Sequence, residues 1–386
     1  MSNGVTILRG DVREIALGLV AGSFDGCLCD PPYGLSFMGK RWDYDVPSVE
    51  AWAAVLGALK PGAHLLAFAG TRTQHRMAAR IEDAGFEIRD MIAWVYGSGF
   101  PKSHNLKGEF DGYGTALKPA LEPITVARKP LHGTVAANVL AFGTGAINVD
   151  GCRVGTGVEH RPLIESTASL PPKNAFGVSL NGSRAVGTTT LGRWPANLIH
   201  DGSEEVLAGF PESKSTANVR HNGAFKSVAK GAETERDSFG HADSGSAARF
   251  FYCAKASRGE REAGLEAIET RALDRGNAAK AAAERGEALD RCDASNGLGT
   301  VYQVKNHHPT VKPIALAEYL ARLILPPKRD TPRRLLVPFS GSGSEIIGAL
   351  RAGWDEVVGI ELSPEYVEIA EARIVHWTAG QQELAL

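Results

Sequence analysis

Short apolar runs alternating with helical repeats occupy both ends of the chain. Near the N-terminus, Phe24 to Cys29 reads as a strand, Trp52 to Leu59 as a helix stopped by Pro61-Gly62, and His64 to Phe68 as a buried strand. A helix around 74–84 and a strand over 86–96 follow. Past residue 300 the alternation returns. Pro313 opens a helix whose apolar positions Leu316, Leu320, Leu323 and Ile324 repeat at i, i+4, i+7 and i+8. Leu335-Leu336-Val337 is a strand running into a glycine turn, and Val357 to Ile360 is another. Ser363-Pro364 supplies the N-cap and first-turn proline of a helix carrying Tyr366, Ile369 and Ala370. Such alternation predicts an α/β fold with a doubly wound, mostly parallel sheet.

The middle of the chain has a different character. Gly, Ser, Asn and Thr crowd the stretch from about 131 to 300, and an alanine-rich segment of alternating charge, Arg261 to Arg291, is expected to be solvated. The expected organisation is therefore an α/β domain made of residues 1–130 and 305–386, with residues 131–304 inserted into it.

Composition narrows the class. Hydrophobic residues make up 43% and charged residues 22%, the balance of an ordinary soluble globular protein. The 42 Lys+Arg against 44 Asp+Glu give a net charge of −2, which excludes a strongly basic nucleic-acid coat but not a local basic face. No apolar run reaches the ~18–20 residues of a membrane span, and the N-terminus has no basic-then-apolar segment, so neither a membrane nor a signal peptide is expected. The five cysteines are scattered with no C-x2-C pair, so zinc is not expected and a reducing cytoplasm fits best.

Two motifs carry chemistry. Phe339-Ser340-Gly341-Ser342-Gly343 lies between a strand and a helix, where glycines allow positive φ and close approach of a ligand. Glu361, eighteen residues beyond Gly343, ends the next strand, where a carboxylate can hold ribose hydroxyls. A dinucleotide fingerprint would require glycine at 346, where Ile346 stands, and no Gly-Lys-Ser/Thr follows for a P-loop. The turn fits S-adenosylmethionine better than a pyrophosphate, and a nicotinamide-dependent oxidoreductase is disfavoured.

Asp30-Pro31-Pro32-Tyr33 follows the first strand directly, at a carboxyl end of the sheet. Two prolines stiffen the backbone and leave carbonyl acceptors without N–H donors. An exocyclic amine is a poor nucleophile because its lone pair is delocalised into the base. The Asp30 carboxylate and Pro31 carbonyl, accepting its two N–H bonds, would localise that lone pair and stabilise developing positive charge. The Tyr33 ring would stack on the base and hold it in line. This chemistry needs neither a metal nor a nucleophilic side chain.

With these motifs the chain resembles the amino-directed DNA methyltransferases of the permuted group, in which the catalytic motif precedes the cofactor motif. It looks most like the phage and prophage-type site-specific adenine enzymes. The resemblance rests on Leu8-Arg9-Gly10-Asp11, Asp30-Pro31-Pro32-Tyr33, His308-Pro309-Thr310-Val311-Lys312-Pro313, Phe339 to Gly343 and Gly359-Ile360-Glu361, in that order. It implies a sheet of the S-adenosylmethionine-dependent methyltransferase type, with strands 335–337 and 357–360 beside strand 24–29. It also implies that Asp11 binds the cofactor's adenine, Glu361 its ribose, and Phe339, Ser340, Gly341 and Gly343 the methionine end. Thr310 and Lys312 would close the pocket, and the insertion would recognise the target. Similar proteins carry Asp where Val337 stands, and Glu345 is the candidate compensating acid.

The implied activity is methylation of adenine N6 in double-stranded DNA, with cytosine N4 as the alternative, since related cytosine enzymes more often begin the motif with Ser. A catalytically weakened DNA-binding module is a further alternative, raised by Val337. The resemblance places the enzyme in restriction-modification chemistry, with a cognate restriction endonuclease as a candidate partner and a monomer or homodimer as the assembly. A duplex base must be flipped out to reach such a pocket. Candidate DNA contacts are Lys40, Arg41 and Trp42 after the catalytic motif, and Tyr96, Phe100, Lys102 and His104 on a second rim. Arg220, His221, Lys226 and Lys230 form a basic, acid-free stretch that could follow a DNA backbone.

Overall fold

A computed structural model describes residues 4–36, 41–99, 103–155, 161–166, 183–189, 191–215, 220–221, 237–238, 243–254, 258–273, 302–308 and 310–382. In chain order the main elements begin with β1 (Val5–Arg9), α1 (Val12–Leu17), β2 (Phe24–Cys29), α2 (Val49–Ala58) and β3 (Leu59–Phe68). Next come α3 (Gln74–Asp83), β4 (Glu87–Val95), β5 (Leu121–Arg128), α4 (Val135–Phe142), β6 (Leu198–His200) and β7 (Tyr252–Cys253). The C-terminal part supplies α5 (Ile314–Leu323), β8 (Arg334–Pro338), α6 (Ser344–Ala352), β9 (Glu356–Glu361) and α7 (Pro364–Gln382).

These strands build one nine-stranded sheet in the order β1-β9-β8-β2-β3-β5-β4-β6-β7. Within it only β5 is reversed, antiparallel to both β3 and β4. The two ends of the chain interleave in one half of the sheet: Leu335 and Leu336 pair with Gly26 and Cys27, and Val5 on the edge strand pairs with Val357. This is the juxtaposition expected of strands 335–337, 357–360 and 24–29.

Every residue of β2 is buried, as a strand covered on both faces requires. One face packs against α5, α6 and α7 through Leu316, Leu320, Ile346, Ile347 and Ala370. The other packs against α1, α2 and α3 through Val12, Trp52, Val55, Met77 and Ile81. The fold is therefore α/β, doubly wound, with a mostly parallel sheet. The acid inside β2, Asp25, is fully buried and neutralised by Lys60 at 2.7 Å and Arg329 at 2.6 Å.

One boundary differs from expectation. The helix starts at Val49, with Ser48 as its N-cap, and ends at Ala58, after which Leu59 already belongs to β3. Pro61 and Gly62 thus sit inside the start of a strand. Gly62 has φ +75° and donates its N–H to Lys129 and Pro130 rather than to a strand partner. A proline is tolerated at a strand beginning for the same reason, since no ladder bond is lost there.

The 131–304 stretch contributes β6 and β7 to the sheet, parallel to β4. Among its described residues it also forms short antiparallel pairs, including Arg161–Ser166 with Ser183–Thr189 and Glu212–Ser215 with Asp243–Ser246. No helix among the described residues is long and apolar enough to cross a membrane.

Candidate active site

Parallel strands deliver their carboxyl ends to one edge of the sheet, and four adjacent strands each end there in a polar turn. Gly10-Asp11 follows β1, Asp30 to Tyr33 follows β2, Phe339 to Gly343 follows β8, and Glu361 closes β9. A cavity of about 480 Å³ opens at this edge. Its wall includes Asp11, Asp30, Pro31, Pro32, Tyr33, Trp42, Thr310, Phe339, Gly341 and Glu361, so residues separated by 350 positions share one pocket.

The glycine turn is built as its composition demands. Gly341 has φ +49° and Gly343 φ +79°, and Phe339, without that freedom, is held at φ +60°. A Cβ on Gly341 would come within 2.7 Å of the His308 ring. Glu361 fastens the turn: its carboxylate accepts from the Gly341 N–H and the Ser363 N–H, each at 2.8 Å. Burial raises the Glu361 pKa, while those backbone donors oppose the shift. Ser340 and Gly343 lie behind the wall, with Ser340 buried and Gly343 opening α6.

Asp11 caps α1 and is engaged by Arg13, whose backbone N–H and guanidinium both reach it, the latter at 2.7 Å. Hydrogen bonding to Arg13 holds the Asp11 carboxyl below the usual range. The Thr310 carbonyl accepts from His308 Nδ1, and burial holds the His308 imidazole down to about 4, so it is neutral near pH 7.

Around Asp30 the structure assembles a buried charged cluster. Its Oδ1 accepts from the Tyr33 hydroxyl at 2.8 Å and its Oδ2 from the Lys312 ammonium at 2.7 Å. The lysine amine therefore lies against Asp30, deep in the wall. Burial alone would lower the Lys312 pKa, yet the charges of Asp30 and Glu122 outweigh it and hold the lysine above its ordinary range. Burial and the same two carboxylates push the Tyr33 phenol well above its usual value. Glu345, buried at the start of α6, is raised to about 7 by burial and by the Asp30 charge.

Sequence reading passed over two residues of this site. Glu122, near the start of the reversed strand β5, approaches both Tyr33 and Lys312. Asp43 is buried and its carboxylate accepts the N–H groups of Tyr33 (2.7 Å), Gly34 (2.9 Å) and Leu35 (3.3 Å). Neither stands in a spacing that would mark it.

The candidate DNA contacts are scattered. Trp42 is 36% exposed and stands on the cavity wall beside Tyr44. Tyr96 is half-buried against Trp94 and borders a neighbouring hollow of about 360 Å³ with Lys118, Glu205 and Phe210; burial and the Glu122 charge push its phenol up to about 12, so it adjoins the cluster around Asp30 without lining the cavity. His104 is exposed on an arm held by Ser103–Thr115 contacts. Of Arg41 only the backbone, in the turn 41–43, is described. Lys40, Phe100, Lys102, Lys226 and Lys230 lie outside the described residues, whereas Arg220 and His221 pair with Asp237–Ser238.

No family model matches the chain. Over 116 residues it is 28% identical to the type II methyltransferase M.HindIII of Haemophilus influenzae, covering 26% of this chain and 38% of that protein. Over 98 residues it is 35% identical to YubD of Escherichia coli K12, which carries the name of a methylase, covering 25% and 37%. The chain thus spans a little over a third of the length of the curated relatives it matches. Among solved structures it overlays on M1.HpyAVI in complex with S-adenosylmethionine with a TM-score of 0.41 at 14% identity, covering 96% of this chain and 98% of that one. On the cytosine-N4-specific PvuII DNA methyltransferase the TM-score is 0.44 at 12% identity, covering 97% and 87%. Overlaps this loose leave the fold resting on the strand order itself.

Proposed function

We propose that this chain is an S-adenosylmethionine-dependent DNA methyltransferase that acts on the N6 amine of an adenine flipped out of double-stranded DNA. The observation carrying this reading is that Asp30 to Tyr33, the Gly341 turn and Glu361 line one pocket at the carboxyl ends of adjacent parallel strands. The donor set fits the cofactor. Among the described lining residues, Asp11 is paired with Arg13, Asp30 with Lys312 and Asp45 with Arg80, while Glu361 has no cation and is held by two backbone N–H groups. A carboxylate at the end of β9 suits ribose hydroxyls, and Asp30 beside the turn suits a cationic sulfonium. Bound there, the cofactor supplies an electrophilic methyl group.

The chain's own residues prepare the amine. Asp30 and the Pro31 carbonyl are the acceptors for its N–H bonds, and proline rigidity keeps that carbonyl aimed. The Tyr33 backbone is held at both ends, its N–H by Asp43 and its carbonyl by the Thr73 hydroxyl at 2.6 Å, so its ring has a fixed base from which to stack on adenine. Target recognition falls to residues 131–304, and Trp42 is the aromatic best placed to meet DNA beside the pocket.

The test is transfer of labelled methyl groups to DNA. Wild type should label adenine N6, identified after digestion to nucleosides, and Asp30→Ala should be slower by roughly 10²–10³-fold. Equal labelling by wild type and a folded Asp30→Ala variant at saturating cofactor sinks the reading. N4-methylcytosine as the product would redirect it to the other base.

A further inference from the structure

We infer that Glu122 is a positioning residue of the methyl-transfer site, holding Tyr33 and Lys312 so that Asp30 is released to the incoming amine. This deepens the function proposed above and rests on it. Four side chains close a ring: Asp30 Oδ1 to the Tyr33 hydroxyl at 2.8 Å, that hydroxyl to Glu122 Oε2 at 3.0 Å, Glu122 Oε2 to Lys312 Nζ at 3.3 Å, and Lys312 Nζ to Asp30 Oδ2 at 2.7 Å.

The ring poses a problem that Glu122 solves. Both oxygens of Asp30 are engaged, yet the target amine needs an acceptor there. A phenol carries one proton and donates it to one acceptor at a time. With Glu122 within reach, Tyr33 turns its O–H from Asp30 to Glu122 by rotating about the C–O bond, and the aromatic ring stays where it is. Asp30 Oδ1 then faces the amine free of a competing donor. Without Glu122 the phenol proton stays on Asp30.

Charge points the same way. Two carboxylates share one ammonium, so the ring carries excess negative charge beside the place where the amine becomes cationic. Removing Glu122 leaves Lys312 paired with Asp30 alone and cancels that excess. The topology explains how a residue of β5 comes to be there. Because β5 is reversed, its beginning lies at the edge where its parallel neighbours end, and Glu122 pairs across the sheet with Trp94 near the end of β4.

The experiment compares wild type, Glu122→Ala and Glu122→Gln in steady-state labelling, with S-adenosylmethionine affinity measured by calorimetry and folding by thermal melts. Glu122→Ala should lower kcat roughly tenfold to a hundredfold, with KM and calorimetric Kd for the cofactor within about twofold of wild type. Glu122→Gln keeps a carbonyl acceptor for the phenol without the charge, and should recover part of the lost kcat. Two results overturn the inference while leaving the methyltransferase reading intact: a folded Glu122→Ala variant with wild-type kcat, or a kcat loss matched by equal loss of cofactor affinity in both variants. Wild type that labels no DNA overturns both.

Discussion

Asp43 shows how much a single buried acid can organise at this site. Its carboxylate receives three consecutive backbone N–H groups, those of Tyr33, Gly34 and Leu35, and its own carbonyl accepts the Ser36 N–H at 2.7 Å. The loop it closes is tight: Gly34 has φ +68°, and a Cβ there would come within 2.9 Å of the Val46 nitrogen. Asp43→Ala leaves those donors without their acceptor, and each stays costly only so far as water cannot reach it. We expect a loss of roughly 2–3 kcal/mol in urea denaturation, with Asp43→Asn milder because one acceptor oxygen remains. A stability within error of wild type for Asp43→Ala would mean that the loop finds other acceptors. In the sequence, this acid sits beside Arg41 and Trp42, and the segment reads as a candidate for DNA contact. Nothing in its spacing announces that the same segment ties down the tetrapeptide Asp30 to Tyr33, because an acceptor for loop N–H groups needs only to be near in space.

At the scale of elements, legibility followed the backbone. The turn after β8 and the tetrapeptide after β2 could be read because glycine and proline types are dictated by local φ, and because parallel strands must end at one edge. The meeting of the chain's two halves was legible from motif order. Glu122 was not, since only the reversal of β5 brings its start to the edge that holds the cavity, and a strand's direction leaves no mark on its own residues. The contact of α5 with α6 is a second case. Gly348 faces α5 so closely that a Cβ would lie 2.6 Å from the Ala317 Cβ and 2.6 Å from the Glu318 nitrogen. Alanine would add about 1 kcal/mol of helix propensity, but main chain cannot give way as a side chain does. Gly348→Ala should therefore destabilise by about 1–2 kcal/mol net, seen as a lower thermal midpoint. A raised midpoint would show that the helices separate at no cost. The crossing matters for the site because α5 begins two residues after Lys312, and α6 begins directly after Gly343.

Across the whole molecule the net charge of −2 conceals ionisable groups buried in opposite senses, and these set the response to pH. Burial holds His64 at about 4, aided by the charges of Arg128 and Arg89, and holds His308 at about 4 as well. Unfolded, both would titrate near 6.5, so between about 4 and 6.5 the unfolded chain binds more protons and stability rises with pH. Glu345 acts the other way. Its folded value of about 7 lies above the 4.5 of a free glutamate, so the folded chain holds the extra proton and stability falls as pH rises from 4.5 to 7. Burial also lowers His200 and raises Glu361, and three histidines against two glutamates leave a net rise across the overlap. Glu345→Gln removes one opposing member without emptying its space. Denaturation midpoints measured from about pH 4.5 to 8 should climb more steeply in the variant than in wild type. The variant should also be the more stable protein above pH 7, where wild type must carry a buried carboxylate with Asp30 beside it. If the two profiles run parallel instead, Glu345 is ionised throughout, and the nearby charges of Lys312 and of Arg373, buried on α7, offset its burial in the folded state.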